Sequence, residues 1–331
     1  MIRLACVLTT ECNLRCLHCL RDNAAASHLP LEIVSKAVAG AKKFDLEYVH
    51  LTGGEPFLYH HLPELFELLK QSNVQATFSS NGLLFEKRSE LITKYKKVIR
   101  FINISLDGPC ADIHDATRGK GAFGALMESF KFSRAHKLPF GVTCCLNRFN
   151  LSHAPDIVKF ARRQGAKHIN FSTVLPCRNA EENGLVLDEA QRKKAYGELR
   201  RLAYVSSMDF FRLFYVPVFI SEPVYASSNI VMCANQSLRT VTVDVDGSLH
   251  FCCFLTVYDV DKEVEKGLKV ANLCDVDFEE GLKCFADMIH SFIRGRMDDY
   301  QGGSFDKQGM DFNSCFYCNK KLGIALKVGP L

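Results

Sequence analysis

Short apolar runs alternate with amphipathic stretches over the first two thirds of the chain. The apolar runs are rich in β-branched and aromatic residues, which is typical of strands, whereas the stretches between them repeat their apolar positions with the period of a helix. Regular alternation of strand and helix predicts parallel strands joined by right-handed crossovers, so we expect an α/β fold with a partial (β/α)6 barrel. The predicted strands are residues 2–8, 48–51, 74–79, 99–105, 140–146 and 168–174, and the predicted helices are residues 31–44, 62–71, 87–95, 122–136, 154–164 and 188–206.

The pattern changes after about residue 208. Two short β patterns joined by the turn signal Asp246-Gly247 predict a hairpin, and a helical pattern follows them. We therefore expect two domains, a barrel over residues 1–208 and a small cysteine-bearing domain over residues 209–331. The predicted elements of the second domain are strands at 240–245 and 248–252, a helix near 278–294 and a polar loop over 298–313.

The amino-acid composition excludes some classes of protein and indicates the cellular compartment. The 331 residues include 41 Lys and Arg against 37 Asp and Glu, and a net charge of +4 argues against a surface that binds nucleic acid or membrane. No apolar run approaches the ~18 residues of a membrane span, and the N-terminus lacks the features of a signal peptide, so we expect a cytoplasmic protein. The outlier is a total of 15 cysteines. Because a reducing cytosol keeps thiols free, metal ligation explains them better than disulfides do.

Three cysteines lie close together directly after the first predicted strand. Cys12, Cys16 and Cys19 have the spacing Cys-x3-Cys-x2-Cys. Three thiolates from one short loop can hold three irons of a [4Fe-4S] cluster and leave the fourth iron open. The alternatives are three buried thiols or a structural zinc site, which needs four protein ligands, the fourth being His18 or a remote residue.

A second motif, Gly53-Gly54-Glu55-Pro56, follows the second predicted strand. Two glycines let the backbone approach a ligand closely, and a carboxylate can accept a hydrogen bond from an ammonium group. Alone, the motif would indicate only a tight turn from strand to helix. Together with the cysteine triplet it resembles the radical S-adenosylmethionine (SAM) superfamily, in which this loop contacts the amino group of SAM. The resemblance covers residues 1–210 and implies that these four residues bind SAM beside a [4Fe-4S] cluster.

Positions at the ends of later strands carry weaker resemblances to the same superfamily. Ser79 and Asn81, after the third strand, are in the place of a ribose contact. Ser105 opens a Ser-Leu-Asp-Gly sequence similar to that of the peptide-modifying branch and is a candidate SAM contact, although the Asp-Gly-Pro within it is equally explained as a turn. Arg118 belongs to a His-Asp-x-x-Arg-Gly match of that branch and either contacts the SAM carboxylate or anchors its loop. Asn147, after the fifth strand, is a candidate adenosine contact.

A second set of cysteines lies in the last third of the chain. The pattern Cys-x13-Gly-x4-Cys, formed by Cys233 and Cys252, and a later Cys-x2-Cys, formed by Cys315 and Cys318, resemble the SPASM/twitch extension of radical SAM enzymes. The full SPASM form has seven cysteines, so the resemblance implies the shorter twitch form with one auxiliary [4Fe-4S] cluster on four thiolates; zinc on the same thiolates is the alternative. Cys253 faces away from Cys252 if both lie on a strand. In similar radical epimerases such a thiol gives a hydrogen atom to the substrate radical, and packing as a small apolar side chain is the alternative.

The resemblance implies that the first cluster reductively cleaves SAM to a 5'-deoxyadenosyl radical, which abstracts a hydrogen atom from the substrate. The branch motifs favour maturation of a peptide or protein by epimerisation, thioether formation or another cross-link. The chain begins directly at the barrel, without a preceding domain to recognise a leader peptide, which counts against this function.

The sequence also allows functions other than peptide maturation, and it indicates which partners to expect. The alternatives are oxidation or epimerisation of a small molecule, as by aminoglycoside-type dehydrogenases, cofactor biosynthesis, and an iron–sulfur or zinc protein without SAM chemistry. The expected partners are the peptide or small-molecule substrate and an electron donor of the flavodoxin or ferredoxin type, with neither nucleic acid nor membrane.

Overall fold

The chain alternates strands with helices up to residue 207 and then forms shorter strands. The computed structural model describes residues 1–20, 25–174, 177–207, 212–216, 237–251, 269–304, 317–318 and 321. The strands are β1 (Ile2–Thr9), β2 (Leu46–Gly53), β3 (Ala76–Ser80), β4 (Ile99–Ser105), β5 (Phe140–Leu146), β6 (His168–Thr173), β7 (Arg212–Val216), β8 (Thr240–Val243), β9 (Ser248–His250) and β10 (Lys269–Asn272). The helices are α1 (Leu31–Lys42), α2 (Leu62–Gln71), α3 (Ser89–Lys94), α4 (Ala111–Arg118), α5 (Ala122–Ala135), α6 (Ala154–Arg163), α7 (Arg178–Glu182), α8 (Glu189–Ser207) and α9 (Phe278–Gly302).

All ten strands that the structure describes belong to one sheet. The order across it is β10-β9-β8-β1-β2-β3-β4-β5-β6-β7, and β1 to β7 run parallel in chain order. The α/β class, the partial barrel and the six predicted strands are confirmed. A seventh parallel strand, β7, extends the sheet beyond the prediction.

The C-terminal hairpin continues the sheet of the barrel. β8 pairs with β1 in parallel, with Thr240 opposite Arg3, and β9 pairs antiparallel with β8 on one side and β10 on the other. The predicted hairpin is therefore confirmed. The boundary between two domains at residues 208 and 209 stays a prediction.

Each parallel strand presents one face to the helices and the other to the interior of the barrel. In β4, Ile102 and Ile104 are fully buried in the core between sheet and helices, whereas Asn103 and Ser105 are half-buried on the opposite face. The same alternation runs through β5, where Cys144 belongs to the core and Cys145 faces the other way. The carboxyl ends of the strands therefore bring small and polar side chains together on the inner face.

The short helix α4 was not predicted from sequence. It carries the His-Asp-x-x-Arg-Gly match, and its buried residues are His114, Thr117 and Arg118 rather than apolar side chains. A helix that buries polar residues has no apolar period to reveal it. Among the helices that the structure describes, none is long and apolar enough to cross a membrane.

Helix α9 packs against α1 through a glycine contact. Asp277 caps the start of α9, because its carboxylate accepts a hydrogen bond from the Glu280 amide at 2.8 Å. The cap places the Phe278 ring beside Gly40 of α1, where a Cβ atom would overlap the Phe278 side chain. The ammonium of Lys36 adds a hydrogen bond to a backbone carbonyl just before α9.

We expect Gly40→Ala to lower the free energy of unfolding by about 1–3 kcal/mol, because the added methyl group overlaps Phe278 close to its backbone. The matched control is Gly124→Ala in α5, where a Cβ meets nothing within 4 Å. That control should raise the free energy of unfolding by about 0.5–1 kcal/mol, since alanine restricts the unfolded chain. Urea denaturation under reducing conditions measures both, and equal effects of the two variants would contradict the contact.

Candidate active site

The loop after β1, which carries the three cysteines, is held by the loop after β2. The backbone amide of Gly54 donates to the carbonyl of Thr9 at 2.7 Å, and that of Glu55 donates to the carbonyl of Glu11 at 2.7 Å. A Cβ atom on Gly53 would overlap the Thr9 carbonyl oxygen, and one on Gly54 would overlap that of Glu11. Both glycines are therefore required for the contact between these two loops, in addition to the predicted approach to SAM.

The carboxylate of Glu55 joins the loop after β2 to the end of β3. It is fully buried, and it accepts hydrogen bonds from the Phe57 amide at 3.1 Å, the Ser80 hydroxyl at 2.8 Å and the Asn81 amide at 2.8 Å. Burial raises the pKa of Glu55 to about 7, although the three hydrogen bonds oppose the shift. Pro56 is buried in the short 3-10 turn that follows. A SAM contact of either side chain stays a prediction.

Two side chains reach the thiols of the cysteine loop, one from Asn81 directly after β3 and one from Arg118 at the end of helix α4. The amide nitrogen Nδ2 of Asn81 lies 3.9 Å from Cys12 Sγ, and a guanidinium nitrogen of Arg118 lies 3.9 Å from Cys16 Sγ. Burial raises the pKa of Cys12, and it raises that of Cys16 to about 11 against the opposing charge of Arg118. These thiols are therefore protonated at neutral pH without metal, and they release protons when they bind it.

The third cysteine is reached from the far side of the barrel. The carbonyl of Cys19 accepts a hydrogen bond from Asn179 Nδ2 at 3.3 Å and one from the Cys177 thiol at 3.9 Å. Cys177 and Asn179 lie after β6, and sequence reasoning missed both. The only signal that could have found them is their position at the carboxyl end of a predicted strand, where parallel strands bring their loops together.

The residues of the loop suit an iron–sulfur cluster better than one zinc ion. The imidazole of His18 is directed at Asp107, with its Nε2 3.7 Å from the carboxylate, and burial lowers the pKa of His18 to about 4. Over the ranges that the structure describes, no three His, Cys, Asp or Glu side chains converge as ligands of a single metal ion. A cubane takes each thiolate on a different iron and needs no such convergence. Cys12, Cys16 and Cys19 thus fit the predicted [4Fe-4S] group.

A buried ion pair lies beneath the cysteine loop. The Arg118 Nε donates to Asp107 at 2.6 Å, and the other oxygen of Asp107 accepts from the Cys145 amide at 2.8 Å. Burial opposes ionisation of Asp107, but the neighbouring guanidinium keeps its pKa below the ordinary value. The carbonyl of Thr117 also holds the loop, because it accepts from the Leu17 amide at 2.9 Å. Arg118 therefore anchors the loop, and its predicted contact with the SAM carboxylate stays a prediction.

The predicted ribose contact Ser79 is held by a histidine that sequence reasoning missed. The imidazole of His50 lies between two hydroxyl groups, with Nε2 3.1 Å from Ser79 and Nδ1 2.9 Å from Thr77. Burial lowers the pKa of His50 to about 4, so the ring is neutral at pH 7. The alternation of β2 could have placed His50 on the inner face, but the pairing of β2 with β3 that brings it to Ser79 is not readable from sequence.

The two remaining candidate SAM contacts occupy different environments. Ser105 is half-buried at the end of β4, opposite Thr143 of β5. Asn147 is fully buried, its Nδ2 donates to the Cys145 carbonyl at 3.0 Å, and its Oδ1 accepts from the Phe149 amide at 2.9 Å. The Asn147 side chain thus shapes its own loop. A SAM contact of either residue stays a prediction.

The segment that carries the cysteine loop and the two-glycine loop matches a known family. Residues 6–161 match the model of the Radical SAM superfamily. Residues 6–161 form a radical SAM domain. The chain is 28% identical over 169 residues to Fe-coproporphyrin III synthase of Methanosarcina barkeri, a match that covers 50% of this chain and 42% of that protein. It is 28% identical over 171 residues to the antilisterial bacteriocin subtilosin biosynthesis protein AlbA of Bacillus subtilis, covering 50% and 38%. The part of the chain that matches therefore spans less than half the length of these curated relatives.

Solved structures share the fold. The structure of Streptococcus suis SuiB bound to precursor peptide SuiA has a TM-score of 0.65 at 14% identity, covering 88% of this chain and 66% of that chain. The structure of native anSMEcpe with bound AdoMet and Kp18Cys peptide has a TM-score of 0.66 at 18% identity, covering 87% and 82%. At these identities the likeness shows the shared fold alone.

The second cysteine set of this radical SAM protein is only partly described. Cys233, Cys252, Cys253 and Cys315 lie outside the described residues, whereas Cys318 is buried. Beside Cys318, the Tyr317 hydroxyl donates to Asp299 of α9 at 2.8 Å, and the Tyr317 ring packs on Phe292 and Arg296 of the same helix. Helix α9 thus holds Tyr317, the residue directly before Cys318. The auxiliary ligands and the twitch form stay predictions.

We expect Gly54→Ala to lose about four irons per chain after anaerobic reconstitution, because the added methyl group drives the two-glycine loop away from the Glu11 carbonyl. Iron analysis measures the loss, and circular dichroism verifies that the variant is folded. Gly124→Ala is again the control and should keep the iron content of the wild type. A folded Gly54→Ala protein with full iron would contradict the requirement for the close approach.

Proposed function

We propose that this radical SAM chain matures a peptide or protein by removing a hydrogen atom from an inert C–H bond, leading to epimerisation, a thioether or another cross-link. The observation that carries the proposal is the cysteine loop at the carboxyl edge of an open barrel. Asn81 after β3 and Arg118 of α4 contact its thiols, and Asn179 of α7 bonds to its backbone. A [4Fe-4S] cluster on Cys12, Cys16 and Cys19 and a bound SAM would supply the one-electron cleavage of SAM and the radical that takes the hydrogen atom. The protein's own contribution is to position these groups and to exclude water from them.

The inner wall of the barrel favours a peptide over an anionic small molecule. The interior-facing residues in the carboxyl halves of β1 to β6 are uncharged, and His50 among them is neutral at pH 7 because its pKa is about 4. Hydroxyl and amide side chains suit the neutral amide groups of a peptide, whereas carboxylates or phosphates of a cofactor precursor call for Arg or Lys. The interior-facing residues in the carboxyl halves of these six strands are Val7, Thr9, His50, Thr52, Thr77, Ser79, Asn103, Ser105, Thr143, Cys145, Asn170 and Ser172.

The comparisons support the same substrate class. Both solved structures named above hold a peptide, and AlbA is named for the biosynthesis of a bacteriocin. The motifs similar to the peptide-modifying branch are also part of the site, since Asp107 and Arg118 form the ion pair beneath the cysteine loop. The second candidate is cofactor biosynthesis, and the observation in its favour is the similarity to Fe-coproporphyrin III synthase.

An auxiliary [4Fe-4S] cluster on Cys233, Cys252, Cys315 and Cys318 belongs to the proposal, as does a flavodoxin- or ferredoxin-type electron donor. The support for the auxiliary cluster is the spacing of these cysteines and the burial of Cys318, which follows Tyr317 on the surface of α9.

We expect about eight irons per chain in the reconstituted wild type and about four in Cys12→Ala/Cys16→Ala/Cys19→Ala, since two cubanes hold four irons each. Only the wild type should form 5'-deoxyadenosine from SAM with dithionite. The matched control is Cys110→Ala, which removes an exposed thiol outside both sets and should keep eight irons. About four irons in the wild type, with zinc in the triple variant, would exclude the second iron–sulfur cluster.

Solvent deuterium tests the reaction and the role of Cys253. The substrates to compare are synthetic peptides from any short reading frames found beside the gene and a porphyrin carboxylate as the competing substrate. If the product is an epimer formed through the thiol, we expect one deuterium in the peptide and no product from Cys253→Ala. A fully active Cys253→Ala enzyme would exclude the thiol as donor. Turnover of the porphyrin alone would favour cofactor biosynthesis instead.

A further inference from the structure

We propose that Arg118 and Asn81 set the reduction potential of the cluster on Cys12, Cys16 and Cys19, with the larger effect from Arg118. Both residues would raise the potential by donating N–H groups to ligand sulfurs. The inference rests on the proposed cluster, and it concerns the free energy of reduction rather than the binding of SAM.

Arg118 is held so that its guanidinium faces Cys16. The side chain is nine-tenths buried at the end of α4, its Nε donates to Asp107 at 2.6 Å, and another nitrogen lies 3.9 Å from Cys16 Sγ. Because the guanidinium is planar, the bond from Nε to the carboxylate fixes the direction of the remaining N–H groups. The contact with sulfur therefore follows from the ion pair.

The carboxylate that orients Arg118 is itself fixed. Asp107 is fully buried, and it is held by the Cys145 amide on one oxygen and faces His18 at 3.7 Å on the other. Its own amide donates to the imidazole of His114 at 3.1 Å. With its partner immobilised in this way, the Arg118 charge stays beside Cys16 whether or not SAM is bound.

Asn81 makes a weaker version of the same contact at Cys12. Its Nδ2 lies 3.9 Å from Cys12 Sγ but also donates to the Asn13 side chain at 2.8 Å, and its Oδ1 accepts from the Leu83 amide at 3.0 Å. The amide is neutral and shared between acceptors. Because a charge-assisted hydrogen bond is roughly twice as strong as a neutral one, we assign Asn81 the smaller effect.

Hydrogen bonds to the ligand sulfurs raise the reduction potential because reduction adds negative charge to the cluster. One electron makes the cluster and its thiolates more negative, and donors aimed at the sulfurs stabilise that form, which raises the potential. The effect is larger in a buried site, where the effective dielectric constant is lower than in water. A higher potential eases electron delivery by the donor and reduces the driving force for cleavage of SAM, so Arg118 would balance the two steps.

The test is a potentiometric titration of the reconstituted full chain, followed by electron paramagnetic resonance without SAM. We expect Arg118→Gln to lower the ratio of reduced to oxidised cluster about tenfold at a fixed potential, which is ~59 mV for one electron. Asn81→Ala should lower it less, by about threefold. The control Arg100→Gln removes the same charge from an arginine at the amino end of β4, 42% exposed and paired with Glu47, and should change nothing.

Removal of Arg118 leaves Asp107 without its cationic partner, which can prevent folding. Arg118→Lys tests the inference in that case. Lysine keeps the positive charge beside Asp107 but loses the second set of N–H groups, which faces Cys16. We expect it to lower the potential in the same direction by a smaller amount. Unchanged potentials in both Arg118→Lys and Asn81→Ala would overturn the inference even if Arg118→Gln gave no usable protein.

Calorimetry of SAM binding separates this role from a contact with the SAM carboxylate. If Arg118 binds SAM instead, Arg118→Gln weakens SAM binding tenfold or more and leaves the potential without SAM unchanged, which overturns the inference alone. A wild type that reconstitutes no [4Fe-4S] signal would overturn the proposed function as well, and that result appears before any variant is made.

Discussion

The buried ion pair between Asp107 and Arg118 connects the parts of the molecule on which the site depends. Asp107 follows β4, its carboxylate takes the amide of Cys145 at the end of β5, and Arg118 ends α4 beside Cys16 of the cysteine loop. Three segments that are distant in sequence therefore meet at one carboxylate. A buried pair gains little net stability, because desolvation of both charges offsets their attraction. The ion pair instead positions the cysteine loop, because one carboxylate fixes the distance between the barrel wall and that loop.

The loop after β2 forms the opposite side of the same frame. Gly53 and Gly54 lie against the backbone of the cysteine loop, and Glu55 bonds to the end of β3. The cysteine loop is thus clamped between two supports, one built from backbone contact and one from charge. Both supports use residues that the sequence marked as SAM contacts. The residues that the sequence assigns to SAM binding therefore also hold the cysteine thiols in place.

Much of the fold and the outline of the site were predictable from sequence, because both depend on local signals. Six apolar strands, the hairpin at Asp246-Gly247 and the cysteine spacing are all visible over short windows. The contacts of Glu55, His50 and Cys177 were not predictable, since each depends on which strands are neighbours and in what register. Helix α4 was not predicted for a different reason: the residues it buries are polar and pair with groups far along the chain.

The pairing of β8 with β1 has a consequence for synthesis of the protein. The strand that leads into the cysteine loop is synthesised before the rest of the barrel, but Thr240, which pairs with Arg3 of that strand, is made only after the whole barrel. Until then one edge of β1 has unpaired backbone groups, which favours association with other chains. Contacts between residues so distant in sequence also slow folding. Expression at low temperature, which slows intermolecular association, is therefore a sound choice for this chain, and a truncation before β8 would leave the edge of the sheet permanently open.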